Sequence, residues 1–195
     1  MDAINTRSPS GASENTVLGP FHVSGSSEYE MGANNCLDVK GEDLLVSGRT
    51  IDAQWNPISN AKIDVWQAND EGFYDVKQKG VQQDYDLKGV FHTDQDGGYL
   101  FKGVRPKYYP IPTDGPIVKL LENLGRHPFR LAYLHYFIIN DGYENVTNHI
   151  FDPDHPYIKS DSILGLKESL IADFIRISDP EKLSEHGFNG GFYWE

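Results

Sequence analysis

The chain has 195 residues, 38% of them hydrophobic, enough for one core of ordinary size and tight for two full domains. Its 29 acidic and 17 basic side chains give a formal charge of -12, which repels nucleic acid phosphates and anionic membrane surfaces. A small neutral or weakly acidic ligand fits that balance better, and with Cys36 as the single cysteine no intramolecular disulfide forms.

The start, "MDAINTRSPSGASENT", is polar and has no apolar stretch of the kind a secretory leader needs, and no later run approaches ~18 apolar residues. Residues 1–15 are expected to be a flexible segment ahead of a single domain over 16–195, in a cytoplasmic protein. Strands are predicted over 43–51 and 61–68. In the second, Ile63 and Val65 lie on one face, with Lys62, Asp64 and Trp66 on the other. Next come "GVFHT" (89–93), the turn "DQDGG" and "YLFKGV" (99–104), which read as a hairpin. The stretch 115–125 is the one helical pattern, with Ile117, Leu120, Leu121 and Leu124 at helical spacing and Gly125 as a stop. Further strands are expected over 130–139, 145–151 and 169–177. Many strands and one short helix predict an all-β fold, a sandwich or a small barrel with long loops.

The strand "RLAYLHYFII" also carries chemistry. Alternation puts Tyr133 and His135 on one face, and Leu134 and Tyr136 on the other. A Tyr-x-His pair on an apolar strand serves as a hydrogen-bonded core pair or as two metal ligands. Tyr74 in "GFYDV" and Tyr108 and Tyr109 in "PKYYPIP" fall in loops, where sites are commonly built, although three loop aromatics can also simply close a core. Phenolate oxygen is a hard anionic donor, so a Tyr and His cluster suggests Fe(III), whereas zinc would favour Cys and His.

Over roughly residues 16–177, the segments "TVLGPFHV", "VSGRTIDAQWNPISNAKIDVWQANDEGFYDV", "HTDQDGGYLFKGVRPKYYPIPTDGP", "GRHPFRLAYLH" and "NHIFDPDHPYIKSDSILGLKESLIADF" resemble the intradiol ring-cleavage dioxygenases, most closely their hydroxyquinol-cleaving branch. The resemblance implies a two-sheet β-sandwich with a non-haem ferric site. It implies Tyr74, Tyr109 and His135 as ligands, Arg130 as the group that stabilises charge on bound substrate, and His149 as a histidine near the iron. Val17, Leu18, Gly19 and Pro20, together with Pro110 and Ile111, would line the substrate ring, and Trp66 would be structural.

Three departures stand out. Tyr133 occupies the place of the family's first strand histidine, and Leu131 that of a neighbouring proline. The family's N-terminal helical region has no counterpart, so a homodimer would have to form through a different interface. The C-terminal "GGFYWE" is expected to give a shorter or differently paired edge. The implied reaction is cleavage of a hydroxyquinol- or catechol-like polyphenol by O2 between its hydroxyl carbons, giving a muconate-type diacid. Tyr133 is then a further ligand or an acid-base group. The alternative is a non-oxygenative cyclisation, isomerisation or dehydration in the same pocket, with Tyr133, His149 or Arg130 moving protons.

Overall fold

A computed structural model describes residues 11–38, 40–111, 115–162 and 165–195. Ten strands are named within them: β1 (Asp43–Arg49), β2 (Lys62–Trp66), β3 (Lys88–His92), β4 (Gly98–Val104), β5 (Tyr109–Pro110), β6 (Phe129–Arg130), β7 (Tyr133–Ile139), β8 (Val146–Phe151), β9 (Arg176–Ile177) and β10 (Tyr193–Trp194). Two four-stranded sheets, ordered β4-β1-β10-β9 and β3-β2-β7-β8, account for most of them, and β5 and β6 form a small ribbon. The expected two-sheet β architecture is present.

Alternation in β2 and β7 decides where each side chain goes. Ile63, Val65, Leu134 and Tyr136 point between the sheets and pack with Leu44, Phe91 and Phe101. The opposite faces of the same strands do not meet water. Trp66, Tyr133 and Phe151 there form a second cluster, closed by Tyr74, Tyr109, Leu131 and Leu170. A sheet buried on both faces needs a second cover. Here loops supply it.

The expected hairpin over 89–104 is not formed. Asp94 makes the tight turn, its Oδ1 accepting from the backbone N–H of Asp96 at 2.9 Å and of Gly98 at 2.7 Å. The strands on either side then join different sheets. β3 pairs with β2 from Lys62↔His92 to Trp66↔Lys88, and β4 pairs with β1 from Asp43↔Val104 to Arg49↔Gly98. The turn residues specified a reversal but not the partner.

The predicted helix is observed as α1 (Pro116–Asn123), and Gly125 follows it with φ +63, the left-handed conformation of a helix stop. Of its apolar residues only Leu121 is buried, while Ile117, Leu120 and Leu124 are 58%, 57% and 62% exposed. A second short helix, α2 (Pro180–Glu185), is capped by the Asp179 side chain, which accepts from the Glu181 N–H. The expected strand over 169–177 is reduced to β9, because Glu168–Leu170 forms a 3-10 turn. The C-terminal strand β10 is short, as expected, and sits parallel to β1 and antiparallel to β9.

Residues 1–10 of the expected N-terminal segment lie outside the described residues. Beyond them, Asn15 Oδ1 accepts from the Thr147 N–H at 2.8 Å, and the Thr16 N–H donates to the Thr147 carbonyl at 2.6 Å. The chain is thereby laid along β8 before it reaches Val17. Among the described residues no helix is long and apolar enough to cross a membrane.

Candidate metal centre

The site is written across one sheet as a register row. Lys88 on β3 pairs with Trp66 on β2, Trp66 with His135 on β7, and His135 with His149 on β8. Residues directly opposite in neighbouring strands present their side chains on the same face. The Trp66 ring stacks on His135 with centroids 4.5 Å apart and planes at 12°, and His149 meets His135 edge-on at 4.5 Å and 87°. Two residues along β7, the Tyr133 ring lies against His149 at 4.7 Å and 23°.

A turn brings Tyr74 to this row, and Tyr109, expected in a loop, reaches it from the short strand β5 paired with β6. Gly72 has φ +83, and a Cβ there would lie 2.8 Å from the Tyr109 Cβ, so only glycine lets the turn carrying Tyr74 pass this close to the strand carrying Tyr109. The Tyr74 hydroxyl and His135 Nε2 are 3.1 Å apart, and the Tyr109 and Tyr133 hydroxyls are 2.5 Å apart. The expected residues Tyr74, Tyr109, Tyr133, His135 and His149 therefore come together in one buried cluster.

Arg130 stands beside it, its guanidinium 5.4 Å from the Tyr133 ring centre and its Nε donating to Asp161 Oδ1 at 2.9 Å. The ring-lining residues expected near the N-terminus form a strap. The Val17 backbone reaches His149, a Cβ on Gly19 would sit 3.5 Å from His135 Cε1, and Phe21 stacks on Tyr74 at 4.3 Å. Val17, Leu18 and Pro20 are exposed along this strap, Pro110 completes β5 beside Tyr109, and Ile111 follows it.

Burial sets the protonation states. It pushes the Tyr74 and Tyr133 phenols well above the usual range, and the neighbouring phenols add to this, although Arg130 pulls Tyr133 back somewhat. Burial holds His135 well below the usual histidine range and, with Arg130 nearby, brings His149 down to about 4. The protein alone thus keeps these phenols protonated and these imidazoles neutral. Turning such phenols into donors takes a cation at the cluster.

The donor chemistry indicates which cation. Among the described residues no three of His, Cys, Asp and Glu gather as a metal site. Three phenol oxygens and the Nε2 of His135 do gather, and His149 Nε2 is buried with no hydrogen-bond partner. Hard oxygen donors with imidazole fit ferric iron.

The His149 shift has a measurable consequence for stability. The folded state keeps this ring neutral down to about pH 4, whereas the unfolded chain protonates it near 6.5, so the unfolded state binds more protons in between. Stability should fall as pH drops through that window, by roughly 3 kcal/mol for this group. Thermal unfolding of the metal-free protein at several pH values reads the slope, and His149→Gln should flatten it. An unchanged slope in that variant would contradict the assignment.

Several site residues lay outside the sequence reading. Lys88 Nζ contacts Asp75 Oδ1 at 2.7 Å and donates to the Phe21 carbonyl at 3.3 Å, tying the Tyr74 turn to the strap. His22 is held by Asp64 at 3.0 Å and packs edge-on against Trp66 at 4.7 Å. Asp161 fixes Arg130. A cation opening an apolar strand, as in "KGVFH", was the available signal for Lys88. Nothing local marks Asp161 as the partner of a residue 31 positions away.

Comparison with known proteins places this geometry. Residues 19–190 match the protein family described as Dioxygenase. The chain is 59% identical over 194 residues to a hydroxyquinol 1,2-dioxygenase of Rhizobium sp. (strain MTP-10005), covering 100% of this chain and 66% of that protein. It is 40% identical over 177 residues to a 6-chlorohydroxyquinol 1,2-dioxygenase of Cupriavidus pinatubonensis, covering 91% and 64%. The structure of hydroxyquinol 1,2-dioxygenase from Pseudomonas putida DLL-E4 superposes with a TM-score of 0.89 at 35% identity, covering 99% of this chain and 67% of that one. The chain belongs to the intradiol ring-cleavage dioxygenase family. It spans about two thirds of the length of these relatives.

Proposed function

We propose that this chain binds Fe(III) and cleaves a hydroxyquinol- or catechol-like polyphenol with O2 between its two hydroxyl carbons, giving a muconate-type diacid. The observation that carries the reading is the buried contact set Tyr74–His135 and Tyr109–Tyr133, which assembles hard donors from one turn and the strands β5 and β7. The hydroxyquinol-cleaving activities named for the relatives support the substrate class. Ferric iron would supply the Lewis acidity that binds a diol as its dianion and primes the ring for O2.

The chain's own residues do the rest. Tyr74, Tyr109 and His135 hold the ion. The Tyr133 hydroxyl, 2.5 Å from Tyr109, is placed to exchange a proton with the Tyr109 oxygen. Arg130, neutralised behind by Asp161, offers its remaining N–H groups to developing negative charge. The strap over His135 and His149 covers the ring and excludes water. Its residues Val17 to Pro20, with Pro110 and Ile111, shape the space for the aromatic substrate. We place this activity in the cytoplasm, in a single domain over residues 16–195.

Tyrosinate bound to ferric iron absorbs visible light, so the iron-loaded protein is expected to be red to purple and to consume O2 when mixed with hydroxyquinol. Tyr109→Phe should bleach or shift the band, and a full band in that variant would remove Tyr109 from the ligand set. A colourless protein that takes up no iron would end the ferric reading. The short Tyr109–Tyr133 contact also favours a second reading, proton transfer on a phenolic or quinone intermediate without oxygen. Product formation without O2 uptake would select it.

A further inference from the structure

Both imidazoles of the row have one buried nitrogen without a hydrogen-bond partner among the described residues, Nδ1 of His135 and Nε2 of His149, but the Nε2 of His135 already faces Tyr74. The His149 ring is held by the stack on Tyr133 and by edge contacts with His135 and Phe151, and the residue is only 5% exposed. Nε2 has no hydrogen-bond partner among the described residues. The groups packed against it are the rings of Tyr133, His135 and Phe151, and none of them donates to it. A buried polar atom left unpaired is costly and calls for an explanation.

The position of the ring supplies one. His149 is the cross-strand partner of His135, whose Nε2 already lies 3.1 Å from the Tyr74 oxygen. The two imidazoles are 4.5 Å apart, centre to centre, at 87°. With nitrogen-to-metal bonds of about 2.1 Å, two rings on adjacent positions of one ion would have centres about 4.6 Å apart. The Tyr133 hydroxyl lies 2.5 Å from that of Tyr109.

Charge points the same way. Three phenolates would cancel a trivalent ion, whereas two phenolates with two neutral imidazoles leave a net positive site for an anionic diol. We propose that His149 Nε2 is a ligand of the ion held by Tyr74, Tyr109 and His135, supplying a second imidazole from β8 while Tyr133 remains the hydrogen-bond partner of Tyr109. This rests on the ferric reading above.

The test is X-ray absorption at the iron edge on full-length protein reconstituted with ferric iron alone. Wild type should show two coordinated imidazoles and His149→Ala one, with iron released from the variant on the order of ten- to a hundredfold more readily. Adding Tyr133→His to His149→Ala should return the count to two and recover iron retention. That arm separates a lost ligand from a damaged fold, which circular dichroism checks directly. A wild-type count of one, or a count of two that survives His149→Ala, overturns the proposal while leaving the ferric site intact. Failure of the wild type to take up ferric iron overturns the ferric reading itself, and this inference with it.

Discussion

Lys88→Met is expected to destabilise the protein by about 3–5 kcal/mol, since it strands a buried carboxylate. The side chains of Lys88 and Asp75 are 1% and 5% exposed and 2.7 Å apart. Without the ammonium, Asp75 keeps only the Tyr85 N–H, which donates to Oδ2 at 2.9 Å. At about 2–4 °C per kcal/mol for a chain of this size, the melting temperature should drop by roughly 6–20 °C. Adding Asp75→Leu should restore much of the loss, because two apolar groups of similar volume need no pairing. A single variant that melts within 2 °C of wild type, taken as about 1 kcal/mol or less, would show that the pair is not buried as described. The visible band should weaken in the single variant too, since Lys88 ties both the Tyr74 turn and the Phe21 carbonyl.

Trp66→Ala should cost about 3–5 kcal/mol, the range for emptying a large aromatic site in a core. Trp66 is 1% exposed, packs between His22 and His135, and belongs to the cluster on the outer face of its sheet. Its Nε1 has no partner among the described residues, so the loss would be one of packing, with no hydrogen bond removed. Trp66→Phe should therefore recover most of the urea midpoint, as it refills much of the volume. The ligand field should report the Ala variant separately: His135 loses the flat surface that orients its ring, and the iron band is expected to broaden or shift. If the Ala variant unfolds at the wild-type urea concentration, the stacked row is wrong.

The fold was legible wherever alternation was strong. In β2, Lys62, Asp64 and Trp66 on one face and Ile63 and Val65 on the other mark the side that faces the tyrosine and histidine cluster and the side that faces the second sheet. Partnering was not legible. "DQDGG" specifies a reversal through the Asp94 side chain, but whether β3 and β4 pair with each other or with the earlier strands β2 and β1 depends on long-range packing. Asp179 before Pro180 in "DPEKLSEHG" is a helix start that could have been read, and was missed because the segment is short and nearly all polar.

The site was legible as residue types and only partly as an arrangement. Tyr133 and His135 shared a face by simple alternation, and the structure adds that Trp66 and His149 flank His135 in the same register. Tyr74 and Tyr109 could be placed in loops, but their approach depends on Gly72 lacking a side chain. Trp66 was read as structural. It is that, and it also orients the histidine beside it.

Because Lys88, Trp66, His135 and His149 come from four strands, a slip of one residue at any pairing would rotate part of the set to the far side of the sheet. Such a chain could still collapse around its apolar residues, yet it would have no place for an ion. Uptake of iron would then act as proofreading of strand alignment during maturation, with misaligned molecules left pale and open to degradation.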